Sequence, residues 1–286
     1  MEIPGILRIT ETPGAQAPLV IDVPHAGRTY PTDFRFSCPF ALLRQTEDAY
    51  VDELVAGAVR HGAAMLTALF PRALIDVNRA LDDLDPAVVD GVWPEPLQPG
   101  ERTLQGLGLV RRLCRGGVPM YDAPLPPAEV DLRLRQFYNP YHRHLARLLQ
   151  RRQQAFGAVW LVNCHSMPAR GVEERGYLRR HDFVLGDRDG TSCESWFIQQ
   201  AASILRSLGY SVALNDPYKG KEILRRHGQP ARRSQALQLE INRALYMDEE
   251  KVERLPSMSK IAADMEQFFG RLTASVMTQV MDKAAE

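Results

Sequence analysis

Hydrophobic positions in this chain fall into two kinds of run. The first kind is short, nearly continuous, rich in β-branched residues, and closed by polar ones. It comprises LVIDVPH (19–25), AMLTAL (64–69), ALIDVNR (73–79), AVWLVNCH (158–165), DFVLGD (182–187), SVALND (211–216) and LQLEIN (237–242). Apolarity on successive residues over so short a length predicts strands buried on both faces, as in a sheet held between helices.

The second kind has helical spacing. Residues 48–60 place Val51, Leu54, Val55 and Val59 on one face, and residues 127–155 predict an arginine-rich helical region divided near Pro140. Residues 194–208 predict a helix with Thr191 and Ser192 as candidate caps and Gly209 as its stop. A last helix is predicted from about Ser257 to Met281, carrying Ile261, Met265, Phe268, Phe269, Leu272 and Val276. Alternating strands and helices predict an α/β fold with a mixed sheet. No repeat or linker divides the chain, so a single catalytic domain over residues 1–286 is expected. The Pro- and Gly-rich residues 85–108 read as a long surface loop, a candidate lid.

Composition narrows the functional classes. Lys+Arg and Asp+Glu both number 35, so there is no net field to draw nucleic acid or an anionic membrane. The cluster Arg225, Arg226, Arg232 and Arg233 reads as a solvated face. Cysteines 38, 114, 164 and 193 form no CxxC pair and are expected as reduced thiols. The N-terminus lacks a basic segment followed by an apolar core, and no apolar run approaches the roughly 18 residues of a membrane span. A cytoplasmic protein is expected, with a homo-oligomer allowed.

Polar residues collect where the predicted strands end: His25, Asn78 and Arg79, His165, and Glu240. Open α/β sheets bind ligands at the carboxyl ends of their strands, so residues distant in sequence can meet there. Two histidines and a carboxylate leave one position open in a catalytic metal site. Glu47, Asp48 and Asp52 are the carboxylates available after His25, and a hydrogen-bonded core role for the histidines is the plain alternative. Cys164 and Ser166 flank His165, but adjacent strand residues point to opposite faces and Ser166 lies in no GxSxG elbow. Glu240 inside an apolar strand is either satisfied structurally or serves as a general base. Asn78 and Arg79 match a substrate carboxylate, with an Arg79 salt bridge to Asp82 or Asp83 as the rival use. His142 and His144 face different sides of a helix, and His61, His181 and His227 read as surface or turn residues.

The ordered blocks VPHAG, TEDAYVDEL, LIDVNRA, FYNPYHRHL, NCHSMP, VLGDRDGTSC, NDPYKG and LQLEINRALYMDE span about residues 19–250. Together they resemble the N-formylglutamate amidohydrolase family, the deformylases of histidine degradation. The resemblance implies a three-layer αβα fold similar to the zinc carboxypeptidase-like hydrolases. It implies His25, Asp48 and His165 as ligands of Zn²⁺ or another divalent ion, with Glu47 as rival to Asp48. Glu240 is implied as general base, and Asn78 with Arg79 as the grip on a substrate carboxylate. The implied reaction is hydrolysis of N-formyl-L-glutamate to formate and L-glutamate. Lys221 stands where the family usually has glycine, which points to another N-acyl amino acid or small peptide as an alternative substrate. A non-catalytic metal- or ligand-binding relative is the reading from a different class.

Overall fold

In the computed structural model, residues 1–169 and 181–285 are described. Eight strands form one mixed sheet: β1 (Glu2–Ile3), β2 (Leu7–Thr10), β3 (Leu19–Val23), β4 (Ala64–Ala68), β5 (Val159–Met167), β6 (Phe183–Gly186), β7 (Val212–Leu214) and β8 (Ser234–Asn242). Their spatial order is β1-β2-β4-β3-β5-β8-β6-β7. The central strands β4, β3, β5 and β8 run parallel, so their carboxyl ends share one edge. β2 and β6 join this block antiparallel on either side.

Side chains alternate between two apolar layers, as the pleat requires. Ile21, Trp160, Val162 and Leu239 pack with Val51, Leu54, Phe197 and Phe269, from the helices Val51–Leu54, Ser195–Ser207 and Met258–Ala285. Val20, Leu161 and Ala236 pack on the opposite side with Tyr141, Leu145 and Leu148 of the helix Asn139–Phe156. The sheet is therefore sandwiched, which explains why its central strands carry unbroken apolar runs.

Several expectations need correction. ALIDVNR is not a strand. Ala73, Leu74, Ile75 and Val77 are fully enclosed, yet the backbone turns there, with Leu74 N–H donating to Pro71 O and Arg79 N–H to Asp76 O. Asp76 N–H donates to Leu109 O, so a neighbouring segment supplies the bonds a sheet would have given. Residues 48–60 form only the short helix Val51–Leu54 and a 3₁₀ turn, Ala56–His61. Thr191 and Ser192 do not cap the helix Ser195–Ser207; their hydroxyls donate to Arg188 O and Ala236 O, and Glu194 occupies the cap position. The region around Pro140 divides as Pro127–Arg133, a π-helical turn Leu134–Tyr138, and Asn139–Phe156.

Residues 85–108 contain a 3₁₀ turn, Pro86–Val88, and a single helical turn, Glu101–Leu104. They are tied to Asp82 and Asp83 by Gln98 N–H to Asp82 O and by Gly100 N–H and Thr103 Oγ1–H to Asp83 Oδ1. Among the described residues no helix is long and apolar enough to cross a membrane.

Phe269 is wholly enclosed between the long C-terminal helix and the sheet. Phe269→Ala should therefore lower stability by about 3–5 kcal/mol. Urea unfolding should show a reduced midpoint at unchanged slope.

Candidate active site

The parallel block brings four sequence-distant residues to one place. His25 lies two residues beyond β3, and His165 and Glu240 sit on β5 and β8, paired directly in register. Asp48 follows the helical turn Phe40–Arg44, and its backbone N–H donates to His25 O at 3.0 Å. One donor atom each from His25, Asp48 and His165 lies within 4.8 Å of the others, and all three residues are buried. His25 Nδ1 is 3.1 Å from His165 Nδ1, and Asp48 Oδ2 is 3.3 and 3.0 Å from these two nitrogens.

What lies behind the rings fixes which nitrogens are bare. His25 Nε2–H donates to Asp76 Oδ1 at 2.7 Å. His165 Nε2–H donates to Asn163 Oδ1 at 2.7 Å, because the Asn163 amide nitrogen is taken up in donating to Asp22 Oδ2 at 2.6 Å. With Nε2–H directed to these acceptors, both rings turn the lone pair of Nδ1 to the same point as a carboxylate oxygen. Three converging lone pairs repel one another unless a cation lies among them. The donor set therefore fits a divalent ion, and the acceptors behind the rings are the usual orienting partners of metal-binding histidines.

Charge around the cluster is balanced by two arginines. Arg72 donates to Asp48 Oδ1 at 3.3 Å and to Asp76 Oδ2 at 2.7 Å. Arg243 donates to Asp48 Oδ1 at 3.2 Å, Glu47 O at 2.6 Å and Ser166 Oγ at 3.0 Å. Burial alone would favour neutral carboxyls, but the Arg72 guanidinium holds Asp48 well below the usual range. Arg72 and His25 do the same for Asp76. Both arginines grip Oδ1 of Asp48, which leaves Oδ2 facing the histidines. Asp22, deep under the site, is pushed by burial up to about 7, against the hydrogen bonds from Tyr141 and Asn163.

Glu240 responds in the opposite way. Burial pushes its carboxyl up to about 7, the Asp48 charge adds to the effect, and His165, Arg72 and Arg243 oppose it. Its described hydrogen bond comes from Gln238 Nε2 at 3.1 Å. A carboxylate poised near neutrality beside a histidine cluster suits proton transfer.

The remaining expected residues divide. Glu47 turns away from the cluster, accepting from Tyr30 OH at 2.5 Å and from Arg44. Asn78 Oδ1 accepts from Ile223 N–H at 3.0 Å, which turns its Nδ2 to within 3.1 Å of His165 Nε2; since that nitrogen already donates to Asn163, the Asn78 contact is one of packing and not a hydrogen bond. Arg79 lines the cleft and reaches Asp83 Oδ2 only at 3.5 Å. Cys164 packs in the layer opposite His165, and burial drives its thiol well above the ordinary range. His142 donates to Val77 O, and His144 lies against Pro140 O. Sequence reasoning missed Arg72, Asp76, Asn163 and Arg243 as parts of the site.

The His25, Asp48 and His165 cluster, with Glu240, Arg79 and Arg243, lines a cleft of about 870 Å³, a size ordinary for small-molecule sites. Lys221 and Tyr218 lie on its wall, so the loop that departs from the family pattern does face the cleft. Gly27 of the VPHAG block, two residues after His25, runs against the backbone of Leu69 and Phe70. A Cβ there would meet Phe70 O at 2.0 Å, so the backbones approach too closely for any side chain.

The model for the N-formylglutamate amidohydrolase family matches residues 17–247. The chain belongs to that family. It is 32% identical to an N-formylglutamate deformylase of Pseudomonas aeruginosa over 240 residues, covering 82% of this chain and 84% of that protein. It is 30% identical to an N-formylglutamate deformylase of Pseudomonas putida over 236 residues, covering 81% of this chain and 82% of that protein. The crystal structure of an N-formylglutamate amidohydrolase from Ralstonia eutropha superimposes with a TM-score of 0.92 at 42% identity, covering 96% of this chain and 99% of that one. All the site residues named above lie within the matched span.

If Asp76 orients His25, Asp76→Asn should weaken divalent-ion binding about 10- to 100-fold. Competition with a chromophoric chelator measures this, with circular dichroism confirming the fold. Unchanged affinity would remove the orienting role.

Proposed function

We propose that this chain is a metal-dependent amidohydrolase that cleaves N-formyl-L-glutamate to formate and L-glutamate. The observation carrying this reading is the convergence of His25 Nδ1, Asp48 Oδ2 and His165 Nδ1, with Glu240 beside His165 on the next strand. Family membership and the named activity of the relatives support the substrate.

His25, Asp48 and His165 would hold the ion, zinc or another divalent metal. When bound, such an ion supplies a Lewis acid that polarises an amide carbonyl and acidifies water. Glu240 takes the proton of the attacking water and returns it to the departing amine nitrogen, so the amide leaves as a neutral amine. Arg79, with Asn78 beside it, holds a substrate carboxylate, converting binding energy into position of the scissile bond. Asp76 and Asn163 keep the two imidazoles from turning, and Arg72 and Arg243 keep Asp48 ionised and aimed.

Purified protein should release formate from N-formylglutamate, and a strong chelator should abolish the release. Chelator-resistant turnover would sink the metal-dependent reading. Glu240→Gln should reduce kcat by about 10²–10⁴-fold while changing KM little. The sign of the pH dependence follows from the raised carboxyl of Glu240, which must be ionised to accept a proton. Its folded value of about 7 means that kcat falls as pH drops through a limb at or below about 7. A nearby dication favours the charged form and moves the limb downward. A kcat–pH profile of the parent should show this limb, and Glu240→Gln should lack it.

A further inference from the structure

The cleft wall carries a cation that the proposed chemistry leaves unused. Arg111 lies on the segment after the Glu101–Leu104 turn and lines the cleft with Arg79. Among the described residues its side chain has no carboxylate partner, and its Nε is sealed from solvent with no hydrogen-bond acceptor. By contrast, Arg72 and Arg243 are paired with Asp48, and Arg112, the next residue, donates to Asp85 at 2.8 Å.

Arg111 is also held in place. Leu109 and Val110 are fully enclosed. Leu109 O accepts from Asp76 N–H at 2.8 Å, and Leu109 N–H donates to Asp83 O at 2.9 Å. The segment bearing Arg111 is thus bonded to the residue that orients His25 and to the one that borders Arg79. Arg111 is part-buried, and holding a guanidinium in the cleft wall without a carboxylate partner costs free energy that an arriving anion recovers. Burial, together with the positive charges of Arg72 and Arg79, lowers Arg111 to about 9, with Asp76 and Asp48 only partly opposing them. The planar fork of a guanidinium is matched to a carboxylate.

Arg79 accounts for one carboxylate of the substrate. We infer that Arg111 binds a second one, and that this pair of arginines makes the cleft selective for N-acyl amino acids bearing two carboxylates. Arg111 is a specificity-determining residue in this assignment; it takes no part in proton transfer. The inference rests on the proposed hydrolysis, but its test separates the two.

The probes are N-formylglutamate and its two monoamides, one blocked at the α-carboxylate and one at the side-chain carboxylate. In the parent protein N-formylglutamate should be preferred over both. Arg111→Met should raise KM for N-formylglutamate about 10- to 100-fold, the scale of a lost charge-assisted pair, with kcat within a few-fold of the parent. For one of the two monoamides KM should be unchanged by the substitution, which also identifies the carboxylate involved. Arg111→Lys should recover part of the loss. An equal KM increase for all three compounds, or no increase for N-formylglutamate, would overturn the assignment. Calorimetric binding of the same three compounds to the metal-loaded Glu240→Gln protein reads the preference without turnover. If the parent releases no formate, the proposed activity fails. Calorimetry then still decides on Arg111, by whether dicarboxylate preference is present and is lost in Arg111→Met/Glu240→Gln.

Discussion

The site depends on the parallel register of three neighbouring strands. Asp22 on β3 pairs with Asn163 on β5, and His165 on β5 pairs with Glu240 on β8. Paired residues of adjacent strands present their side chains on the same face, so one alignment stacks Asp22 under Asn163 and sets Glu240 beside His165. A slip by one residue would turn His165 towards the layer now filled by Cys164. The unbroken apolar runs that protect this alignment on both faces are thus a condition of the chemistry as much as of the fold.

Around the imidazoles the polar network works by exclusion. Each hydrogen bond made behind a ring leaves one atom in front with nothing else to do. Asp76 takes one Nε2, Asn163 takes the other, and the two arginines take Oδ1 of Asp48. The electrostatic environment also separates the carboxylates by role. Asp48 and Asp76, in contact with Arg72, stay ionised, whereas burial raises the carboxyl of Glu240, which has no guanidinium hydrogen bond among the described residues, to about 7. Pushing the acidities of neighbouring carboxylates apart is how one site can carry both fixed anions and a proton acceptor.

Much of the sandwich could be read from the chain, because β3, β4, β5 and β8 are apolar on successive residues and the last helix is strongly periodic. The same signal misled at residues 73–79, where continuous apolarity marks a buried coil. Periodicity reports enclosure, and enclosure alone does not distinguish a strand from a loop whose hydrogen bonds come from elsewhere. The edge strands β1 and β2 are short and partly exposed, so they left almost no pattern. His25, His165 and Glu240 stood out as polar residues at the ends of apolar runs. Spacing could not separate Glu47 from Asp48; the bond from Asp48 N–H to His25 O is a long-range detail that turns one inward and leaves the other to Tyr30. Arg72, Arg111 and Arg243 carried no local signal, since an arginine's partner is chosen by the fold across nearly two hundred residues in the case of Arg243 and Asp48.

The anchoring of Asp48 to the carbonyl of His25 has a further meaning for how such a protein is assembled in the cell. Each candidate donor of the proposed metal centre is already aimed by strands, backbone bonds and arginines, so capture of an ion would organise little that is not organised beforehand. Small metal-nucleated domains recover their folding free energy from the ion itself. For the proposed metal centre this frame would make folding and metallation separable: the chain could mature first and be loaded afterwards, and exchange of one divalent ion for another would not pass through an unfolded state.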